Sequence, residues 1–133
     1  MNNLTWLKKV REVFGSSGLE YEDLYGLMEA AIIREKTNFP AFLYEASRGF
    51  GFCVGEGYFY CLDQDWDEPK EFDEVSFFLG EVETSSISVS DYISLMGMAA
   101  DVYSNYAPDE KKGVLSSVER LKERYVNKLP ISN

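Results

Sequence analysis

The spacing of apolar residues changes twice along this chain, at Gly49 and again at Ser90. No all-helical or all-strand fold accommodates both changes. In the first block Trp6, Leu7, Val10, Val13 and Phe14 recur at the i, i+1, i+4, i+7, i+8 spacing of one helix face. Gly15-Ser16-Ser17-Gly18 ends that helix and offers Ser17 as the next N-cap. A second helix is expected from Leu19 to Lys36, with Tyr21, Leu24, Tyr25, Met28, Ala31 and Ile32 on its apolar face. Glu20, Glu22 and Asp23 fall in its first turn and Arg34 and Lys36 in its last, as the helix dipole favours. Asn38-Phe39-Pro40 stops it, and residues 41–47 carry no assignable pattern.

From Gly49 the period is two. Phe50, Phe52 and Val54 alternate with small residues, Gly55-Glu56-Gly57 turns the chain, and Tyr58 to Leu62 returns: a hairpin. Asp63 to Asp73 contains Pro69 and little periodicity, and reads as a long loop. A second hairpin places Val75, Phe77 and Leu79 on one face, turns at Gly80-Glu81 and returns from Val82 to Val89. At Ser90, an available N-cap, the helical stripe resumes with Tyr92, Leu95, Met96, Ala99, Val102, Tyr103 and Tyr106. Pro108 breaks that helix, and Asp109 opens a fourth with Val114, Leu115, Val118, Leu121 and Tyr125 inward. The expected class is α+β in one domain spanning residues 1–133. An N-terminal helix pair, a four-stranded antiparallel sheet of two hairpins and a C-terminal helix pair follow one another. The helices pack on one sheet face and the other is wet.

Charge is distributed as unevenly as period. Between Glu56 and Asp91 stand eleven acids and one base, Lys70, so this segment carries the whole net charge of −10. The rest of the chain has twelve acids and twelve bases. A single-sign field costs self-repulsion but speeds encounter with a partner of opposite sign. Tyr58, Phe59, Tyr60, Trp66 and Phe72 interrupt the acids, which solubility alone does not require. The expected docking surface for a basic partner is therefore Tyr58, Tyr60, Asp63, Asp65, Trp66, Asp67, Glu68, Glu71, Asp73 and Glu74. Trp66, between two aspartates, reads either as a ring buried under the sheet edge or as an exposed anchor. A surface this acidic repels nucleic acid and anionic membranes.

Most catalytic chemistry lacks its residues. There is no histidine, which removes the commonest general base and the Ser-His-Asp and Cys-His constellations. No enzymatic activity, metal or cofactor is expected. Gly49-Phe50-Gly51-Phe52-Cys53-Val54 fails the dinucleotide fingerprint at Val54 and lies in a strand; its glycines bend the strand or admit another element. Asp63, Asp65, Asp67, Glu71 and Glu74 match calcium-loop positions 1, 3, 5, 9 and 12. However, Glu68 stands where the loop needs glycine and Lys70 where it needs an apolar residue. A calcium- or metal-responsive protein is the alternative function on this count, and an acidic adaptor or chaperone for a basic partner is another. Cys53 and Cys61 read as small core residues with reduced thiols. A two-residue turn sets them on opposite faces and a three-residue turn sets them diagonally, and neither register bridges them. The N-terminal segment lacks the apolar stretch of a signal peptide, and no apolar run spans a bilayer, so a cytoplasmic location is expected.

About two-thirds of the chain also resembles a known family. The residues concerned are Gly49-Phe50-Gly51-Phe52, the Trp66-Asp67-Glu68-Pro69 turn, the apolar strand from Val75, Ser90-Asp91-Tyr92 after the polar return strand, and Tyr106-Ala107-Pro108-Asp109. In these it is similar to immunity proteins of bacterial contact-dependent growth inhibition systems, in the group paired with ribonuclease toxins. It departs from them after Pro69, where Lys70-Glu71-Phe72-Asp73-Glu74 replaces a Phe-Glu-Gly-like turn. The resemblance implies a non-enzymatic cytoplasmic protein that binds its cognate toxin C-terminal domain one to one and blocks the active site. Carboxylates would pair with the Lys and Arg that hold phosphate, and Trp66 and Tyr58 would fill places where bases stack.

Overall fold

The computed structural model describes residues 4–55 and 57–128; residues 1–3 and 129–133, and Glu56 at the centre of the expected first turn, lie outside the described residues. Helix α1 (Thr5–Ser17) buries Trp6, Leu7, Val10 and Phe14, the face its spacing predicts. Ser17 closes this helix and does not cap the next. Its hydroxyl donates to the Phe14 carbonyl and accepts from the Leu19 N–H. Helix α2 (Glu22–Ile33) is shorter than expected at both ends. It finishes in a Schellman closure, with the Glu35 N–H bonded to the Ile32 carbonyl and the Lys36 N–H to that of Ala31, at 3.0 and 2.9 Å.

The unassigned stretch is a helix. In α3 (Phe39–Ser47) the Asn38 side chain accepts from the Ala41 N–H at 2.9 Å. Pro40 sits in the first turn, where a missing N–H breaks no helical hydrogen bond. The triplet expected to stop one helix therefore starts another, and the N-terminal helix pair becomes three helices.

Strands β1 (Phe52–Gly55), β2 (Tyr58–Cys61), β3 (Glu74–Leu79) and β4 (Val82–Ser88) form one antiparallel meander in that order. The central pairing is regular, from Tyr58 opposite Leu79 to Cys61 opposite Ser76. Each edge strand holds one extra residue, Val54 in β1 and Thr84 in β4. The inner face contributes Val54, Tyr60, Val75, Phe77 and Ile87 to a core shared with the helices. Gly55 opposes Tyr58, the pairing of the two-residue turn, but the extra Val54 shifts the register so that Cys53 opposes Phe59 and Phe52 opposes Tyr60. Both cysteines are free thiols, yet neither is a core residue. They stand on the outer face, Cys53 exposed and Cys61 half-buried.

Helix α4 (Val89–Tyr106) follows β4 without a loop and is capped by Ser88, not Ser90: the Ser88 hydroxyl accepts from the Asp91 N–H at 3.0 Å. Tyr92, Leu95, Met96, Ala99 and Tyr103 are buried, whereas Tyr106 at the end of the same stripe is 44% exposed. A 3-10 turn over Pro108–Glu110 leads into α5 (Lys111–Arg124). Among the described residues no helix is long and apolar enough to cross a membrane.

Candidate partner-binding face

The acidic segment after β2 is not a slack loop. Two 3-10 turns, Asp63–Asp65 and Pro69–Glu71, shape it, and its first two acids tie it down. Arg124, in the last turn of α5, donates Nε and Nη2 to the Asp63 carboxylate at 2.9 and 2.8 Å, and the Tyr125 hydroxyl donates to the same group at 2.6 Å. Burial alone would raise the Asp63 pKa, but the donors from Arg124, Tyr125 and Gln64 outweigh it and hold the carboxyl below its ordinary value. Asp65 acts on backbone: its Oδ2 accepts from the Gly51 N–H at 2.7 Å and the Leu62 N–H at 2.9 Å.

The glycines of the Gly49-Phe50-Gly51 stretch fit this arrangement. A Cβ on Gly49, whose φ is 92°, would run into the Arg124 guanidinium and the Asp63 carboxylate. One on Gly51 would collide with the Tyr60 carbonyl. Both positions admit a neighbouring element, which is the packing reading of that motif.

The residues expected at the docking surface therefore divide. Tyr60 is 2% exposed, its ring against Phe77 and its hydroxyl 2.8 Å from that of Tyr92, so it is a core residue and not a contact residue. Tyr58 is half-buried and approaches α2, where Gly26 leaves room for its hydroxyl. Burial, then the charges of Asp23 and Glu29, raise its pKa. Asp63 and Asp65 are spent on the loop's own geometry. Trp66 is half-buried and meets Phe72 edge-on at 5.6 Å, and Phe72 in turn packs on Tyr125. It braces the loop while leaving part of its ring accessible. Asp67, Glu68, Glu71, Asp73 and Glu74 are exposed, and among the described residues none of them enters an ion pair.

One part of this surface was not anticipated. On the outer sheet face Phe59 and Phe78, cross-strand partners in β2 and β3, stack at 4.9 Å with their planes 11° apart. Each is half-buried, and Glu83 follows Phe78 in the same cross-strand row. Beside them Gly51, Cys53, Cys61 and Asp65 line a shallow groove of about 280 Å³. The outer face is thus apolar at its centre and not simply wet. The signal was the unbroken aromatic run Tyr58-Phe59-Tyr60, which on a strand must place rings on both faces.

The calcium-loop spacing does not translate into a cage. Asp63 already holds a guanidinium and Asp65 two backbone N–H groups. Among the described residues no three carboxylates or thiols converge as a metal would need. No family model, curated protein or solved structure matches the chain.

Proposed function

We propose that this chain is an immunity protein that binds a basic toxin domain, a ribonuclease, in the bacterial cytoplasm and neutralises it by occupying or covering its active site. The observation that carries this reading is the set of carboxylates at Asp67, Glu68, Glu71, Asp73 and Glu74, without an ion-pair partner among the described residues and held on a braced loop near a stacked, partly exposed Phe59–Phe78 pair. Like charges crowded on a rigid segment repel one another, which fold stability does not explain. A cleft built to hold phosphates presents Lys and Arg, and these carboxylates complement it. Because the loop is already fixed by Asp63 and Asp65, little ordering entropy is lost on docking. The resemblance of the chain from Gly49 onward to immunity proteins supports the same partner.

The deciding experiment uses the polypeptide encoded immediately upstream of this chain's gene. Its C-terminal domain should degrade RNA alone, form a one-to-one complex with this protein, and lose activity at equimolar inhibitor. A folded upstream domain that neither binds this protein nor is inhibited by it would overturn the proposal.

A further inference from the structure

Phe59 lines the groove on the outer sheet face and Phe78 does not, so the groove lies on the side of the Phe59 ring turned away from their stack. Neither ring packs on the core cluster, and among the described residues Phe59 stacks on no other ring. Across from Phe59 the chain offers little bulk. Gly51 has no side chain, and Cys53 and Cys61 are small. A Cβ at Gly51 would collide with the Tyr60 carbonyl, so backbone packing keeps that position bare. At about 280 Å³ the groove falls below the usual size of a small-molecule site and suits one long side chain.

Asp65 lines the same groove and is exposed. Its Oδ2 holds the Gly51 and Leu62 N–H groups at 2.7 and 2.9 Å, which fixes the carboxylate in position. Its Oδ1 accepts no hydrogen bond among the described residues. The charge is felt within the groove, since burial first and Asp65 second raise the pKa of the Cys61 thiol. A fixed carboxylate with one open oxygen, beside the free face of a ring, favours a flat cation that stacks and donates in its own plane. A guanidinium meets both demands. An ammonium is a compact, strongly hydrated charge that would have to shed water in an open groove.

We infer that this groove takes one arginine side chain of the basic partner, its guanidinium stacked on Phe59 and donating to Asp65 Oδ1. That the arginine belongs to a toxin domain rests on the immunity reading; the preference for arginine does not. The occupant follows from charge complementarity. Asp65 lies in the segment Glu56–Asp91, which carries the whole net charge of −10, and the free carboxylates of its loop draw a basic protein to this face.

The first test needs no toxin. Capped Gly-Gly-X-Gly-Gly peptides, with arginine, lysine or citrulline as X, are titrated into the full chain at constant ionic strength. The amide resonances of Cys53, Phe59 and Cys61 should follow a saturable curve with arginine, a weaker one with lysine, and none with citrulline, the neutral isostere. Phe59→Leu should weaken arginine binding by roughly threefold, the size of one exposed cation–π contact. Asp65→Asn keeps an oxygen for Gly51 and Leu62 and should weaken binding by roughly the same factor. Unchanged amide exchange at Gly51 and Leu62 shows that the loop stays folded; if exchange rises, Phe59→Leu alone decides. Glu119→Gln on α5 should change nothing. A non-saturating arginine curve, lysine binding as tight as arginine, saturable citrulline binding, or an equal loss from Glu119→Gln would overturn the assignment. With the upstream toxin domain added, the same amides should shift and both groove variants should speed dissociation. A complex that forms without moving them overturns the groove assignment and leaves the immunity reading intact. Arginine-selective peptide binding with no complex overturns the immunity reading and leaves the groove's selectivity standing.

Discussion

Asp63 and Arg124 form a two-toothed ion pair across 61 residues of chain, joining the turn after β2 to the last turn of α5. Tyr125 and the Gln64 side chain donate to the same carboxylate, so four donor groups converge on a side chain that is 15% exposed. The acidic face is consequently built on a C-terminal helix that contributes none of its free acids.

That pair sets an acid dependence. The Asp63 carboxyl is held below its ordinary value, so its contribution is complete above about pH 4, near the unfolded pKa, and is lost as pH falls through the lower folded value. Asp63→Asn should cost about 1–2 kcal/mol at neutral pH, between an exposed pair and a buried one. In urea titrations the gap between variant and wild type should narrow on acidification. A gap of unchanged size in acid would mean that packing, not the ion pair, accounts for the loss.

The Tyr60 and Tyr92 hydroxyls satisfy each other in the core. Tyr60→Phe should cost about 1–2 kcal/mol by orphaning its partner, and adding Tyr92→Phe should recover most of that. A double-mutant cycle by chemical denaturation measures the coupling. Additive losses would show that the hydroxyls do not depend on one another.

The carboxylates of the loop should act on two different rates. Reversing Asp67, Glu68 and Glu71 to Lys should slow association with the toxin domain and flatten its salt dependence, leaving the melting temperature nearly unchanged. Phe59→Ala and Phe78→Ala should instead speed dissociation, by ~2 kcal/mol if the stack is an anchor. Asp65→Ala belongs to a third kind: amide exchange at Gly51 and Leu62 should rise before any partner is added. Glu119 and Glu123 reversed on α5 serve as controls, and surface plasmon resonance separates the rates. Equal effects from loop and control sets would reduce the loop to a contribution to net charge.

The two thiols should differ sharply in reactivity. Burial first, and then the charge of Asp65, push the Cys61 pKa up to about 11, which leaves very little thiolate at neutral pH. Cys53 is exposed. Iodoacetamide followed by mass spectrometry should label Cys53 quickly and Cys61 slowly, and denaturation should equalise them. Fast labelling at both positions in the native protein would contradict the environment assigned to Cys61.

Local physics made much of this legible in sequence. Trp6, Leu7, Val10 and Phe14 share a helix face whatever surrounds them, and Val75 and Phe77 share a strand face for the same reason. Residues with two local uses were harder. Pro40 breaks a helix that precedes it and suits the first turn of one that follows, so α3 was hidden by its own start signal. Ser17 and Ser88–Ser90 offered several hydroxyls within reach of a helix end, and only packing selects among them. Tyr58, Phe59 and Tyr60 lie on a strand with rings on both sides, where alternation does not say which side is core. The Asp63–Arg124 pair leaves no trace in sequence, since nothing local couples positions 61 residues apart.

The extra residues in the sheet, Val54 and Thr84, occur in the two strands that lie at its open sides, while the β2–β3 pairing between them is regular. An edge interrupted in this way is a poor template for another chain, because the next strand would find the ladder out of step. The sheet is thereby protected from growing by stacking against copies of itself. It also limits how any visitor can attach: a strand laid along either side finds at most a short in-step run, so recognition by this sheet is directed to its face.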